Sequence, residues 1–395
     1  MQKLSIAVEA KALATLRTGV GQYVYQLYRA MENLADKADI YYHINSQFVK
    51  ALPNERIIST GHNSPLTHKE KLSKSIDNLG TGFALAKKKL ALYLYRKAFK
   101  QHLQDIKPDI IHCTDFFSIN NKQGIPEIIT VYDLSCFKHP ETHPVARVRL
   151  FNEYLPQSLE KAQHILTISE FSKREIIDYF AIKAEKITVA YCGLPAGFQV
   201  YSEQQTQAIL KQLGLQYKKY FLYVGTIEPR KNLKILLDAY QQLPKDIQAD
   251  YKLVIIGACG WKFESFLQQA RGLLERQQLI MPGYVADSDL QYLMASAHCF
   301  LYPSLYEGFG IPPLEAMASG IPVITSDCTS LPEVVGDAGI LLAADDTQQW
   351  TQAIINLIED PERYQHYVES GLHRATLFNW TTTAEKTLDC FQGQR

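Results

Sequence analysis

Long apolar runs are missing. Nothing in the chain approaches the roughly 18–20 residues needed to span a bilayer, which excludes a transmembrane helix. The opening residues, MQKLSIAVEAKAL, lack the apolar core and small-residue cleavage site of a secretory signal, and read as a first strand. Paired cysteines are missing too. Seven cysteines, at 113, 136, 192, 259, 299, 328 and 390, are scattered with no C-x-x-C spacing. A disulfide framework and a zinc site are thereby set aside, and reduced thiols in a cytoplasmic protein are the simple reading. No excess of charge of either sign exists: 41 Lys and Arg balance 41 Asp and Glu, which argues against a chain-wide nucleic-acid footprint. Low-complexity tracts and internal repeats of 20–50 residues are absent as well.

What remains is an ordinary globular composition, 46% hydrophobic and 21% charged, over 395 residues. That length suits two domains at roughly 100–200 residues each. The charge balance is not uniform. Residues 1–200 hold 26 basic against 19 acidic side chains, and the remainder 15 against 22, so one half is basic and the other acidic.

Short apolar strands alternate with helical stretches along the whole chain. Strands are expected at 4–10, 39–44, 109–113, 127–133, 164–169 and 187–192, then at 220–226, 252–258, 279–284, 299–304, 322–327 and 339–344. Helices are expected at 21–35, 84–105, 147–162 and 170–180, then at 231–243, 262–276, 287–297, 312–319, 347–358 and 360–378. Strands this apolar are buried on both faces, the mark of parallel sheets covered by helices. Two such series imply an α/β protein of two doubly wound domains, with the break in the polar, Gln-rich stretch 194–219. Ligands in these folds bind at the carboxyl ends of the strands, and the default site is a cleft between the domains.

Three segments carry chemistry. In RTGVGQYVYQLYRAM, Gly19 and Gly21 precede an amphipathic helix. They allow close backbone approach of an anion to the helix start, or simply serve a flexible loop. In YVGTIEPRKNLKILLDAY, Arg230 and Lys231 fall at a helix start, where the macrodipole disfavours cations. A nearby anion such as a phosphate would offset that cost; a solvated surface pair is the plainer explanation. The most specific segment is YPSLYEGFGIPPLEAMASGIPVI. Here the amides of Phe309, Gly310 and Ile311 open a helix with proline in its first turn, a cradle for phosphate or sugar hydroxyls. Glu307 and Glu315, eight apart, can face one ligand and accept hydrogen bonds from hydroxyls; Glu315 otherwise serves as a helix-start carboxylate.

On TGVGQYV, TVYDLSCFKHPE, TISEFSKREI, YVGTIEPRKN, PSLYEGFGIPPLEAMASGIPVI and SLPEVVGDAGILL, the chain resembles the retaining glycosyltransferases of family 4. The likeness runs along nearly the whole chain and is strongest over 220–345. It implies the GT-B architecture, two facing Rossmann-like domains with an active site in the cleft. The N-terminal acceptor-binding domain would span 1–195 and the nucleotide-sugar domain 220–378. A C-terminal helix within 379–395 would pack back on the first domain. TIEPRKN and VYDLSCFKHPE resemble the bacterial branch that builds O-antigens and other surface polysaccharides, which includes many GDP-mannose-dependent mannosyltransferases.

The resemblance implies roles for the site. Arg230 and Lys231 would hold the donor diphosphate and stabilise the leaving group, and Glu307 would contact the donor sugar. The amides of Gly308, Phe309, Gly310 and Ile311 would line the donor, Glu315 would bind the ribose, and Gly19 and Gly21 would approach the diphosphate. Thr226 would border the donor, with Tyr284 and Val285 near the base. Two departures stand out. Many relatives carry an arginine soon after the strand glycine, where this chain has Thr226 followed by a shorter loop; Arg230 would take over that charge, and the split of roles between Arg230 and Lys231 stays open. Many carry His-Asp where this chain has Tyr132-Asp133; these two are kept as acceptor-side residues, with His112 either a substitute for the missing histidine or, as a lone strand-end histidine more often is, structural. A phenol with a pKa near 10 is a poor base at neutral pH.

No cofactor and no metal are expected, since no Asp-x-Asp pair sits at a plausible strand end. The expected partners are a nucleotide sugar and a saccharide or polyprenyl-diphosphate-linked saccharide acceptor, with no nucleic acid. Residues 67–102 hold nine Lys and Arg against Glu70 and Asp77, interleaved with Leu85, Leu92, Tyr93, Tyr95 and Phe99. Such a segment suits an anionic membrane surface, placing the protein in the cytoplasm, peripheral on the membrane's inner face; a solvated helix face is the plainer explanation. The alternatives are a UDP-sugar-dependent glucosyl, galactosyl or N-acetylhexosaminyl transferase, and a non-catalytic sugar-nucleotide-binding scaffold. A phosphorylase is disfavoured for want of bulk and a pyridoxal lysine.

Overall fold

The computed structural model describes residues 3–14, 19–34, 36–44, 47–52 and 81–395. The chain forms two compact units. The first comprises Met1–Gly193 and Trp380–Arg395, and the second Leu194–Asn379.

The first unit is built on seven strands: β1 (Leu4–Glu9), β2 (Ala38–Ile44), β3 (Gln47–Val49), β4 (Ile110–Cys113), β5 (Glu127–Val131), β6 (His164–Thr167) and β7 (Ile187–Val189). Their spatial order is β3-β2-β1-β4-β5-β6-β7. All neighbours are parallel except β2 and β3, which form an antiparallel edge. Every residue of β4, β5 and β6 is buried, as a sheet covered on both faces requires. The covering helices are α1 (Gly19–Glu32), α2 (Thr81–Ile106), α3 (Val145–Lys161) and α4 (Glu170–Phe180). Ser169 caps α4 by accepting the Ser172 N–H at 3.0 Å.

The last helix, Trp380–Gln392, belongs to this first unit although it follows the whole of the second in sequence. Trp380 meets Tyr23 of α1 edge-on at 5.6 Å, and Phe391 meets His112 of β4 at 5.1 Å. The Thr383 hydroxyl donates to the Tyr191 carbonyl at 2.6 Å.

The second unit is a six-stranded sheet of order β10-β9-β8-β11-β12-β13, parallel throughout. Its strands are β8 (Tyr220–Val224), β9 (Lys252–Ile256), β10 (Leu279–Gly283), β11 (Cys299–Tyr302), β12 (Val323–Ser326) and β13 (Ile340–Leu342). Its longer helices are α5 (Glu203–Leu213), α6 (Lys234–Gln242), α7 (Phe263–Glu275), α8 (Asp287–Ser296), α9 (Ile311–Ala318), α10 (Thr347–Glu359) and α11 (Pro361–Ala375). The polar, Gln-rich stretch read as a break therefore contains a helix. Its Gln side chains face water, Ser202 and Gln205 form a capping box, and Ile209 and Leu210 are buried.

Both sheets reverse their strand order between the first strand and its crossover neighbour: β1 and β4 in one unit, β8 and β11 in the other. In such sheets the crevice at that point, outside the carboxyl ends, is where ligands bind. In the second unit Gly225 and Gly257 directly follow β8 and β9, and Gly283 ends β10, all with positive φ. At Gly257 the requirement is steric as well, since a Cβ would lie 2.0 Å from the Gly225 carbonyl oxygen. A side chain is thus excluded at Gly257, whereas a Cβ at Gly283 would meet nothing within 4 Å.

Candidate active site

The loop after β8 enters a 3-10 turn, Pro229–Lys231, and α6 begins only at Lys234. Arg230 and Lys231 therefore precede the helix instead of opening it, and the anion that answers them belongs to the protein. The loop after β11 reaches the same place, where the Leu305 N–H donates to the Arg230 carbonyl at 2.9 Å.

That juxtaposition assembles a buried ionic network. Lys231 Nζ is 2.5 Å from Glu307 Oε1, and Arg230 Nη1 is 3.2 Å from Glu307 Oε2. The Ser304 hydroxyl donates to Glu307 Oε1 at 2.6 Å, and Lys231 also donates to the Tyr302 hydroxyl at 3.1 Å. Arg230 turns its other terminal nitrogen to Glu228 Oε1 at 2.9 Å and holds the Tyr306 carbonyl. Burial alone would raise the Glu307 carboxyl. The charges of Lys231 and Arg230, with hydrogen bonds from Lys231 and Ser304, outweigh it and hold the group at about 2. Lys231 is pushed down, by burial first and by Arg230 second. Two cations, Arg230 and Lys231, thus face two carboxylates, Glu228 and Glu307.

Beyond Glu307 the chain runs through Gly308 and Phe309 to Gly310, whose φ of 110° starts α9, with Pro312 and Pro313 in its first turn. The first N–H groups of a helix have no intrahelical acceptor, but Pro312 and Pro313 carry none, so the donors at this helix start reduce to the amides of Gly310 and Ile311. Phe309 is buried, edge-on to Phe378 at 5.6 Å. Glu315 lies on α9, outside the Glu307 network. Burial, aided by the charge of Asp287, pushes its carboxyl up to about 8. A carboxyl raised in this way favours its protonated form, which can donate as well as accept. Thr226 is exposed directly after β8; Tyr284 is exposed and Val285 half-buried after β10.

In the first unit Gly19 is exposed and Gly21 buried, together opening α1. Tyr132 is buried, donates to the Thr114 carbonyl at 2.8 Å, and meets Tyr23 and Phe116 edge-on. Burial pushes its phenol well above the ordinary value. Asp133 accepts the Ser135 N–H at 2.8 Å, closing a turn just before a short helix, Ser135–Lys138. His112 is fully buried, its ring nitrogens 2.5 Å from the Tyr28 hydroxyl and 2.7 Å from that of Thr130. Burial lowers it to about 3, so it is a neutral core residue.

Sequence reasoning missed Glu228 and Ser304, although both lie within three residues of the motif residues they touch. It also missed Glu9 and Asp115, at the ends of β1 and β4. Glu9 Oε2 accepts the Asp115 N–H at 2.9 Å, and both carboxyls are raised, chiefly by burial. Acidic residues at the ends of two adjacent strands were the available signal. Among the described residues no group of three or more His, Cys, Asp or Glu is arranged to hold a metal.

Two family descriptions match this chain: Glycosyltransferase Family 4 over residues 17–197, and Glycosyl transferases group 1 over residues 205–374. O-antigen chain mannosyltransferase B of Escherichia coli is 32% identical over 380 residues, covering 95% of this chain and 96% of the relative. The chain belongs to this glycosyltransferase family. Among solved structures, sucrose-phosphate synthase from Thermosynechococcus elongatus superposes with a TM-score of 0.72 at 19% identity, over 99% of both chains. Anabaena HepE, in complex with UDP and glucose, gives 0.68 at 17% identity, over 99% of this chain and 100% of its own. These likenesses give the transferase the GT-B fold, two Rossmann-like α/β units. Its activity is transfer of a sugar from a nucleotide-sugar donor to a saccharide acceptor.

Proposed function

We propose that the transferase moves mannose from GDP-mannose, with retention of anomeric configuration, to a saccharide or polyprenyl-diphosphate-linked saccharide in cell-surface polysaccharide synthesis. The donor class is supported by full-length similarity to an O-antigen chain mannosyltransferase. The site assignment is carried by one observation, the convergence of Arg230 and Lys231 on Glu307 at the carboxyl ends of β8 and β11.

In this reading the second unit binds the donor. Arg230 and Lys231 exchange part of their carboxylate contacts for the diphosphate and neutralise the charge that grows on it as the anomeric C–O bond breaks. They supply that positive charge without a divalent metal. Glu307 faces the donor sugar, and the turn Gly308–Ile311 lines the sugar and phosphate. Glu315 meets the ribose hydroxyls, Thr226 borders the diphosphate, and Tyr284 and Val285 border the base. The acceptor hydroxyl attacks from the face that the diphosphate leaves, and the departing phosphate takes its proton; a covalent intermediate on Glu307 is the alternative. The first unit binds the acceptor. Gly19 and Gly21 bring α1 toward the diphosphate, and Tyr132 and Asp133 act indirectly, by fixing the Thr114 carbonyl and the turn after β5.

The described part of the basic segment, residues 81–102, carries the proposed membrane contact; residues 67–80 lie outside the described residues. On α2, Phe83, Leu90 and Leu94 are exposed along one face with Lys87 and Lys97 among them. Apolar anchors among lysines suit an anionic lipid surface. Among the described residues no helix is long and apolar enough to cross a membrane. The proposal places the protein at the cytoplasmic face.

A UDP-sugar donor is the second reading, favoured by the UDP and glucose in the Anabaena structure. Calorimetric titration with GDP, UDP, ADP and dTDP, each with Mg²⁺ and with EDTA, separates the two. Metal-independent preference for GDP is expected; preference for UDP transfers the assignment to the second reading, and absence of binding to all four counts against both.

A further inference from the structure

The loop that carries Glu307 is held from behind by three consecutive side chains. After β12 the chain passes through Asp327 to Cys328, Thr329 and Ser330, then enters a short helix, Leu331–Val335. Cys328 Sγ lies 3.3 Å from the Ser304 carbonyl and 3.4 Å from that of Leu305. Thr329 Oγ1 accepts the Glu307 N–H at 3.1 Å. The fully buried Ser330 hydroxyl lies 2.9 Å from the Glu307 carbonyl and 2.8 Å from that of Phe309. Leu331 then abuts Gly310, where a Cβ would come within 2.8 Å of its Cδ2.

Neighbouring side chains do not ordinarily converge on one target. They alternate on a strand and diverge by about 100° on a helix. Convergence here depends on Thr329, whose φ is +57°. A β-branched residue in the left-handed region is a backbone outlier, sustained only where its surroundings over-determine it. The gain is that side chains engage both backbone polar groups of Glu307, its N–H through Thr329 and its carbonyl through Ser330.

We infer that Thr329 is a positioning residue for transfer: its hydroxyl oxygen fixes the Glu307 backbone, and with it the carboxylate shared by Lys231 and Arg230. The inference rests on the reading of Glu307 as a donor-site residue. Thr329 is not proposed to touch the substrate. It acts by holding a carboxylate whose two oxygens must meet two cations at once. Displacing a reacting group by about 1 Å can cost on the order of 10²-fold in rate.

The test is a substitution series in the full chain: Thr329→Val, Thr329→Gly, Thr329→Ser and Glu307→Gln. Turnover is followed as nucleotide release from GDP-mannose or UDP-glucose, whichever the wild type consumes faster, with methyl α-D-mannoside as acceptor. Thr329→Val removes the acceptor oxygen and keeps the branched shape. Thr329→Gly removes the oxygen but relieves the backbone, so it separates a lost hydrogen bond from lost stability. Both are expected to lower kcat by roughly 10–10²-fold, with nucleotide Kd unchanged and, for glycine, no fall in unfolding midpoint. Thr329→Ser, which restores the oxygen, is expected to recover most of kcat. Wild-type kcat in the valine and glycine variants, alongside an inactive Glu307→Gln, overturns the inference and leaves the reading of Glu307 standing. Failure of serine to rescue also overturns it. A fully active Glu307→Gln removes the reading of Glu307 and the inference with it.

Discussion

Lys231 is held 2.5 Å from Glu307 in a setting where both side chains are at least nine-tenths buried. Such a pair contributes little net stability when intact, because desolvation offsets attraction, but it is costly to break from one side. Glu307→Ala is expected to lower the unfolding free energy by about 3–5 kcal/mol, through the Lys231 charge left inside. Urea unfolding of the full chain followed by fluorescence checks this. A midpoint equal to that of the wild type would mean that Lys231 loses its charge or finds other partners at little cost.

The same cations give a kinetic prediction. Lys231→Ala and Glu315→Ala are expected to reduce turnover strongly, the lysine variant by roughly 10²–10³-fold in kcat. For Glu315→Ala, at the proposed ribose contact, the loss is expected mainly in nucleotide Kd. Steady-state assays with parallel calorimetry separate the two effects. Wild-type activity in both variants would refute the site assignment.

The two glutamates give opposite pH dependences. Glu307, held near 2 against an ordinary 4.5, contributes stability above pH 4.5 that is lost as pH falls from 4.5 through 2. Glu315, raised to about 8, keeps its proton in the folded chain while the unfolded chain ionises at 4.5. Its contribution is whole below pH 4.5 and is lost as pH rises through 8. Melting curves of wild type and Glu315→Gln between pH 5 and 9 are therefore expected to diverge, the variant becoming relatively more stable as pH rises. Parallel curves would show that Glu315 titrates normally.

Gly257 and Gly283 both have positive φ, but only Gly257 faces an occupied space, the Gly225 carbonyl. Gly257→Ala is expected to cost several kcal/mol, from backbone strain plus a clash with main chain that cannot rotate away. Gly283→Ala carries the conformational strain alone, about 1–3 kcal/mol. Equal denaturation midpoints for the two variants would count against the packing argument at Gly257.

The exposed face of α2 gives a binding prediction. Co-sedimentation with phosphatidylglycerol vesicles is expected to exceed that with phosphatidylcholine and to fall at high salt. The double variant Leu90→Ser, Leu94→Ser is expected to release the protein without changing nucleotide binding. Retention of the double variant on the vesicles would locate the contact elsewhere.

The expected strands of both units are all present, mostly one to three residues shorter than read, because runs such as YFLYVGT and EIITVYD are apolar enough to be buried on both faces. The edge strand Gln47–Val49 was not read, being short and only half-buried. Residues 203–213 were missed because a surface helix rich in Gln has few apolar anchors, here Ile209 and Leu210. In the site, the EGFGIPPLE segment made Glu307 legible, and PRKN made Arg230 and Lys231 legible. Their mutual contact was not, since it joins residues more than seventy positions apart through the adjacency of β8 and β11. Thr329 was invisible for a further reason: its significance lies in a backbone angle that a threonine does not advertise.

The helix Trp380–Gln392 completes the first unit only after the chain has traversed the whole of the second. The order of synthesis is therefore not the order of completion. The second unit is one continuous stretch and can close while its C-terminal neighbour is still being made. The first unit, begun before it, lacks the Trp380 and Phe391 contacts to Tyr23 and His112 until this helix has been made. A chain interrupted between Asn379 and Gln392 thus carries a complete second unit attached to a first unit still missing one of its helices.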